Sequence, residues 1–170
     1  MSIVNMLFSP VGRIRRRDYW GYSICLTIVV MLINLGVHQF AFRLDIANYF
    51  TDAASAISLH PTPYGLYALA VNLALLWPTM CLTIKRWHDR NKTGWIAPAL
   101  VVIGYGLSIA QMFLKQSGST KNQLEIIVVG LIALGVVVWQ FVECGCLDGT
   151  KGPNKYGPSP KGIGTSADVF

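Results

Sequence analysis

Four long stretches of the chain carry no Asp, Glu, Lys or Arg, and they constrain the fold more than any other feature. They cover residues 19–42, 64–84, 93–114 and 126–142. A helix rises about 1.5 Å per residue, so about 20 residues cross a hydrocarbon core of about 30 Å. We therefore predict an all-α polytopic membrane protein with four transmembrane helices, in a single membrane domain spanning residues 1–170.

Other architectures fit these stretches poorly. A soluble protein of 170 residues would need four buried helices that are apolar on every face. A transmembrane barrel would show apolar and polar residues alternating over about ten positions, and these stretches do not alternate. The fourth stretch is near the lower length limit for a span, and Glu125 and Glu143 are predicted to mark its two interfaces.

Lysine and arginine are distributed unevenly among the segments that join the stretches. Eleven lie in the N-terminal segment, the second connection and the C-terminal tail, and three lie in the other two connections. The eleven are Arg13, Arg15, Arg16, Arg17, Lys85, Arg86, Arg90, Lys92, Lys151, Lys155 and Lys161. Basic segments beside spans stay cytoplasmic. Both termini and the second connection are therefore predicted to lie inside the cell.

The net charge of +6 belongs mostly to this predicted cytoplasmic face. A basic chain suggests nucleic acid or anionic lipid as its partner. Because the charges lie within a few residues of the spans, we expect anionic membrane lipids as partners and no nucleic acid. The stretch from Arg13 to Arg17 precedes an apolar run that is too long for a cleavable signal peptide, so it is interpreted as part of a retained signal anchor.

The four cysteines and three histidines form no recognisable metal site. Cys25 and Cys81 lie within spans, and no cysteine lies in a predicted outer connection, so a structural disulfide is not expected. Cys144-Gly145-Cys146 leaves metal binding or a lipid thioester open, but the usual two-residue spacing of zinc ligands is missing. We interpret these thiols as packed near the interface, and we predict no metal and no cofactor.

The first predicted outer connection, residues 43–63, is the longest. Apolar residues recur there at helical spacing, and Asp45 is placed to cap a helix start. The recurring residues are Ile46, Tyr49, Phe50, Ala53 and Ile57. This pattern predicts a short amphipathic helix on the outer surface. At the other side of the membrane, residues 2–8 are predicted to lie flat in the headgroup layer.

Polar residues within the spans are few and uncharged. They are Asn34, Asn72, Gln111 and Gln140, together with hydroxyl groups. A proton-coupled transporter normally needs an ionisable group at this depth, so the composition argues against ion-coupled transport. Pro78 removes one backbone hydrogen bond from the second span and is expected to bend it.

Two polar motifs lie at predicted inner ends of spans. Residues 12–20 read Gly-Arg-Ile-Arg-Arg-Arg-Asp-Tyr-Trp, and residues 85–95 read Lys-Arg-Trp-His-Asp-Arg-Asn-Lys-Thr-Gly-Trp. If the second span extends through its motif, Asp89 can pair with Arg86 three residues earlier. Gly94 is a candidate for a positive φ in the turn. A loop that needed only positive charge would not require Trp, His and Asp together.

The third motif lies in the Gly/Pro-rich tail, residues 144–170. Composition alone suggests a flexible segment. However, residues 152–158 read Gly-Pro-Asn-Lys-Tyr-Gly-Pro, which places an amide and an aromatic ring among rigid turn-formers. We therefore predict a folded loop that docks on the Arg86–Arg90 segment.

In this order and with this span pattern, the three motifs resemble the bacterial domain-of-unknown-function 805 family of small inner-membrane proteins. The resemblance covers roughly residues 8–160 and is specific only as a combination. It is carried by Gly12-Arg13, Arg16, Tyr19-Trp20, Arg86, His88-Asp89-Arg90, Gly94-Trp95, Gly152, Asn154, Tyr156-Gly157 and Pro158. It implies a four-span protein of the bacterial cytoplasmic membrane and no established activity.

The preferred hypothesis is a binding or assembly module with one basic and aromatic site at the cytoplasmic face. Its ligand would be an anionic lipid headgroup or a partner protein. Arginines would act as bidentate donors to phosphate or carboxylate, aromatic rings would wall the site, and His88 could tune it near neutral pH. The predicted ligand-binding residues are Arg13, Arg16, Arg86, His88, Asp89, Arg90, Trp95, Asn154 and Tyr156.

Two alternatives from other classes stay open. A transporter or channel subunit would use Pro78, Asn72 and Gln111 to line a path, and four spans would require it to act as a homo-oligomer. An enzyme acting on lipid phosphates would use His88 and Asp89 as an acid–base pair. No second carboxylate, metal set or nucleophile accompanies that pair in the sequence unless Asp148 approaches, so no catalytic residue is assigned.

Overall fold

The described part of the chain is helical. The computed structural model describes residues 2–54, 62–116 and 122–162, and its strand pairing within these residues is limited to one isolated bridge between Asn154 and Gly157. The α-helices are α1 (Ile3–Phe8), α2 (Arg16–Gly36), α3 (Tyr49–Ala54), α4 (Pro63–Asp89), α5 (Ile96–Gln116) and α6 (Asn122–Gln140). Two π-helical turns, Val37–Ala41 and Phe141–Cys146, extend α2 and α6.

Four helices are long and apolar enough to cross a membrane, which confirms the predicted all-α, four-span fold class. They cover Arg16–Ala41, Pro63–Asp89, Ile96–Leu114 and Gln123–Cys146. The second is longer than the predicted 64–84, because the charged residues at its end are buried and paired within the protein. The helix therefore continues where a charged sequence looks like a loop.

The ends of α4 show how the chain fixes its boundaries. Thr62 caps the start, where its hydroxyl accepts from the Gly65 N–H at 3.0 Å, and Pro63 supplies the φ angle of the first turn. The turn to α5 uses a left-handed residue, but it is Asn91, with φ 58°, and not Gly94. Gly94 is needed for space instead, since a Cβ there would lie 2.7 Å from His88 Nε2.

The long helices pack in chain order, α2 on α4, α4 on α5 and α5 on α6. One end of the bundle, which we call the basic end, gathers the Arg13–Arg17, Lys85–Lys92 and Leu147–Lys161 segments. The largest fully buried side chains are concentrated there, among them Ile14, Leu82, Lys85, Arg86, Trp87 and Cys144. Apolar side chains along the spans instead point outward, as expected for contact with lipid. The best-packed part of the protein is thus its polar end.

Short helices lie at both ends of the bundle. At the basic end, α1 packs Met6 against Ile14 and Leu82. At the far end, Asp45 caps a 3₁₀ turn, Ile46–Asn48, which leads into α3. The short helix predicted after Asp45 is therefore present in part, from Ile46 to Ala54, and Ile57 lies outside the described residues. Its amphipathic character and its location on the outer surface stay predictions.

Candidate functional site

The basic end is organised around one carboxylate shared by two arginines. Asp89, in the last turn of α4, accepts from Arg13 Nε at 3.0 Å through Oδ1 and from Arg86 Nη1 through Oδ2. The pairing with Arg86 three residues earlier is as predicted. Arg86 also donates to the carbonyl oxygens of Cys144, at 2.7 Å, and Leu147. All three charged side chains are buried.

Arg13 ties the N-terminal segment to the tail. Besides its bond to Asp89, it donates to the Gly152 carbonyl at 2.8 Å, the Gly157 carbonyl at 3.3 Å, and the carbonyl and hydroxyl of Thr150 at 2.8 and 3.1 Å. A guanidinium has five N–H donors, and Arg13 makes five hydrogen bonds to protein. Its donor capacity is therefore filled without a ligand.

The tail folds over the end of α4 through backbone and side-chain bonds. The Thr150 N–H donates to the Asp89 carbonyl at 2.8 Å, and Asn154 Nδ2 donates to the His88 carbonyl at 2.9 Å. Gly149 allows this approach, because a Cβ there would lie 1.9 Å from Asp89 Oδ2. Asn154 also accepts from the Tyr156 N–H at 2.9 Å. The predicted contact between the Arg86–Arg90 segment and the Asn154–Tyr156 loop is present.

An aromatic stack joins all three motifs. The His88 and Tyr156 rings lie parallel, with centroids 3.7 Å apart, and His88 Nδ1 lies 3.2 Å from the Gly12 carbonyl oxygen. The stack lines a groove of about 610 Å³ that also includes Trp95, which is 80% exposed. The groove continues along α4 and α5 over apolar side chains, including Trp77, Met80, Ile84 and Pro98.

The remaining arginines of the site, Arg16 and Arg90, are more exposed than Arg13 and Arg86. Arg16 Nη1 donates to the Cys146 carbonyl, and Arg16 Nη2 lies 3.8 Å from Asp148 Oδ1. Arg90 donates to the Asp148 carbonyl and lies 3.4 Å from Glu143 Oε2. Lys92 pairs with the same Glu143 carboxylate at 2.6 Å. Glu143 therefore links the π-helical turn after α6 to the end of α4.

Sequence reasoning found the three motifs but did not predict the contacts of several residues that hold them together. These residues are Thr150, Gly149, Gly157, Glu143 and Lys92. Of the nine predicted ligand-binding residues, Arg13, Arg86 and Asp89 form the buried network, and Asn154 secures the tail loop. His88, Trp95 and Tyr156 line the groove, while Arg16 and Arg90 lie near Asp148. Whether any of them binds a ligand stays a prediction.

The structure also locates the residues named in the enzyme hypothesis and in the transporter hypothesis. His88 and Asp89 use their side chains on different partners, since His88 stacks on Tyr156 and Asp89 lies between two arginines. Asn72 lines a cavity between α2 and α4, whereas Gln111 lies near α6, where a Cβ on Gly130 would be 3.7 Å from its Nε2. The two amides thus do not line one cavity in the described structure.

Comparison with known proteins extends the sequence match to nearly the whole chain. The family model described as "Protein of unknown function (DUF805)" matches residues 7–158. The "Uncharacterized protein YiiR" of Escherichia coli (strain K12) is 31% identical over 169 residues, covering 99% of this chain and 97% of that protein. The "Inner membrane protein YhaI" of the same strain is 25% identical over 161 residues, covering 95% and 93%.

No solved structure matches the chain. The family match includes the arginine motif at the start of α2, the end of α4 and the tail loop as far as Pro158, so it spans every segment that meets at the basic end. The chain belongs to the DUF805 family.

Proposed function

We propose that the protein is a binding module of the bacterial inner membrane that holds an anionic lipid headgroup at its basic end. The observation that carries this proposal is the 610 Å³ groove beside His88, Trp95 and Tyr156. The residues at the mouth of the groove are polar and aromatic, and the residues along its length are apolar. A site of this shape suits an amphiphile with its head at the mouth and a chain along the helices.

The depth of the groove favours a lipid over a small soluble anion. On α4 the lining runs from His88 back to Trp77, which is eleven residues, or about 16 Å of helix. Exposed Trp95 suits the interface between headgroups and acyl chains. A soluble anion would have no use for an apolar wall of this length.

The charge for a headgroup comes from residues that the buried network leaves exposed. Arg13 and Arg86 are buried and donate to Asp89 and to carbonyl oxygens, so they act as scaffold in this proposal and not as phosphate donors. Lys155 is exposed, and its Nζ lies 5.0 Å from the centroid of the Tyr156 ring at the groove. It is the cation best placed to meet a phosphate at the mouth.

Two observations support the location. Eleven of the fourteen Lys and Arg residues lie at the basic end or in its connections, and such segments stay cytoplasmic. A relative covering nearly the whole chain is named an inner membrane protein. We accordingly propose that the basic end and both termini face the cytoplasm.

The test compares lipid retention by matched variants. The protein is assembled in nanodiscs of phosphatidylcholine with a minor fraction of phosphatidylglycerol, released, and analysed by native mass spectrometry. Lys155→Gln and Trp95→Ala are expected to retain less phosphatidylglycerol, by about fivefold for the lysine, since one cation near a membrane surface contributes about 1 kcal/mol. Lys151→Gln removes the same charge from the same loop, but Lys151 lines a separate cavity of about 90 Å³. This variant is therefore expected to retain as much phosphatidylglycerol as the wild type.

Three results would overturn the proposal. Equal losses for Lys155→Gln and Lys151→Gln would show attraction by general charge and not by the groove. Equal retention of phosphatidylcholine and phosphatidylglycerol by the wild type would remove the anionic preference. Unchanged retention in Trp95→Ala would leave the groove to another occupant, such as a partner protein.

A further inference from the structure

We propose a second binding site, in a cavity between α2 and α4 toward the far end of the bundle, for a membrane amphiphile whose head donates hydrogen bonds. The cavity measures about 450 Å³ and is also lined by Tyr49 and Phe50 of α3 and Tyr105 of α5. It shares no lining residue with the groove at the basic end. This inference therefore stands apart from the proposed function.

The shape of the cavity indicates an apolar chain. On α4 its lining runs from Tyr64 to Thr79, which is fifteen residues, or about 22 Å of a hydrocarbon core of about 30 Å. Most of the wall is aliphatic, with Leu26, Val30, Met31, Ala68, Leu75 and Leu76 among its residues, and no charged residue contributes to it. An acyl chain lying along the helices matches these dimensions.

The amides of the cavity point their acceptor oxygens away from their own helices. Asn34 Nδ2 donates to the Val30 carbonyl at 2.9 Å, and Asn72 Nδ2 donates to the Ala68 carbonyl at 2.8 Å. A carbonyl oxygen only accepts, so each amide must turn its nitrogen to the helix. Each Oδ1 is then the atom left for a ligand.

The hydroxyl donors of the cavity are used in the same way. Tyr64 Oη donates to the Asn34 carbonyl at 3.3 Å, and Thr79 Oγ1 donates to the Leu75 carbonyl at 2.9 Å. Tyr64 and Thr79 thus direct their hydroxyl donors at backbone carbonyls, while the amide acceptors remain. A ligand matched to this surface brings N–H or O–H donors.

Two buried acceptors lie one helical turn apart at the end of α2. Asn34 is 9% exposed, and its Oδ1 has no hydrogen-bond partner in the described chain. His38, four residues on, is fully buried, with Nε2 2.9 Å from Asp52 Oδ2 and Nδ1 unpartnered among the same residues. When Nε2–H donates to Asp52, Nδ1 is an acceptor. Buried polar atoms are rarely left unpaired. Of these two residues Asn34 lines the cavity and His38 does not, so the Asn34 Oδ1 is the acceptor that points to a missing donor.

The chemistry distinguishes between common lipid heads. Phosphatidylethanolamine carries ammonium N–H donors, whereas phosphatidylcholine has the same zwitterionic charge and no such donor. A lipophilic alcohol offers the same donor chemistry from a different source.

The test uses diazirine-bearing probes of both lipids with identical acyl chains, photolysed in nanodiscs and mapped by peptide mass spectrometry. Wild type is expected to label at α2 and α4 several-fold more with the ethanolamine probe. In Asn34→Leu, the two probes should label α2 and α4 to the same extent. Ala68→Phe, at a cavity-lining residue that is 6% exposed, should remove the labelling with both. Val102→Phe places the same ring on a 72% exposed position outside the cavity lining and should leave labelling unchanged.

The source of the donor is decided by competition. Displacement of the ethanolamine probe by dodecanol at a lower mole fraction than unlabelled phosphatidylethanolamine requires assigns the site to a lipophilic alcohol. Equal labelling of wild type by the two probes, or labelling that survives Ala68→Phe, overturns the proposal. A single symmetric peak in size-exclusion chromatography and an unchanged thermal unfolding midpoint provide the check that each variant is folded. A variant that fails this check is replaced by Asn72→Leu, which must also lower labelling by the ethanolamine probe.

Discussion

Arg13 and Asp89 are 76 positions apart, yet Arg13 Nε lies 3.0 Å from Asp89 Oδ1, and both side chains are at most 5% exposed. Arg86 shares the same carboxylate, so two positive charges surround one negative charge. Five backbone carbonyls, those of Thr150, Gly152, Gly157, Cys144 and Leu147, accept from the two guanidiniums and offset the excess. The network therefore requires the tail to be folded in place.

Arg13→Lys is expected to destabilise the protein by about 3 kcal/mol, because three ammonium donors cannot satisfy the acceptors of five buried or part-buried hydrogen bonds and each buried acceptor left unpaired costs about 1–3 kcal/mol. Lysine keeps the charge but cannot reproduce the planar fork of five donors. Thermal unfolding in detergent, followed by tryptophan fluorescence, measures the change. The control is Arg17→Gln. The Arg17 side chain is 87% exposed and pairs with Asp18 at 3.6 Å, so the substitution should change stability by less than about 1 kcal/mol. Equal effects would contradict a structural role for the network.

Gly149→Ala is expected to displace the tail loop. The added Cβ would lie 1.9 Å from Asp89 Oδ2, and Asp89 cannot retreat because two arginines hold it. Overpacking of this kind costs about 1–3 kcal/mol. Limited trypsin digestion should then cut faster after Lys151 and Lys155. Gly104→Ala, with no atom within 4 Å of the new Cβ, is the control. Unchanged digestion of Gly149→Ala would show that the loop tolerates the shift.

The fold was predictable because a helix that lies in the membrane requires a long stretch of sequence without charged residues. Four uncharged stretches indicated four helices, but the true end of α4 at Asp89 was not evident. Lys85, Arg86 and Asp89 are charged, and sequence does not show whether a charge is solvated or paired inside the protein. The π-helical turn at Phe141–Cys146 also has no sequence pattern that marks it.

The sequence predicted that the three motifs meet, but it did not predict what each residue does there. Charge asymmetry predicts that the three motifs lie on one side of the membrane, and the predicted loop contact follows from that. However, a guanidinium that meets backbone carbonyls looks the same in sequence as one that awaits a phosphate, so Arg13 and Arg86 were expected to bind a ligand. The contact between His38 and Asp52 was missed because it depends on how α3 turns back onto α2.

Lys85→Met is expected to release α1 from the bundle. Lys85 is fully buried, and its Nζ donates to the Met6 carbonyl at 3.0 Å and to the Asn5 carbonyl. A cation at these carbonyls also complements the negative end of the helix dipole. Hydrogen bonds from a charged group contribute about 1.5–3 kcal/mol, so amide exchange in residues 3–8 should accelerate at least about tenfold. Lys92→Met removes a lysine that pairs with Glu143 instead, and it should leave amide exchange in residues 3–8 unchanged. Slow exchange in Lys85→Met would assign the anchoring of α1 to Met6 packing alone.

The proposed orientation predicts opposite labelling at the two ends of the bundle. Cys25→Ala and Cys146→Ser remove the exposed native thiols, while Cys81 and Cys144 are buried. In that background Asn48→Cys, before α3, should react with a membrane-impermeant maleimide once the outer membrane is permeabilised, because basic segments hold the opposite end inside. Lys151→Cys should react only after the inner membrane is also opened. Both positions are exposed, so equal chemical access makes the comparison fair. Reaction at Lys151→Cys before the inner membrane is opened would show that the topology is the reverse of the proposed one, and it would rule out a headgroup site at the cytoplasmic face.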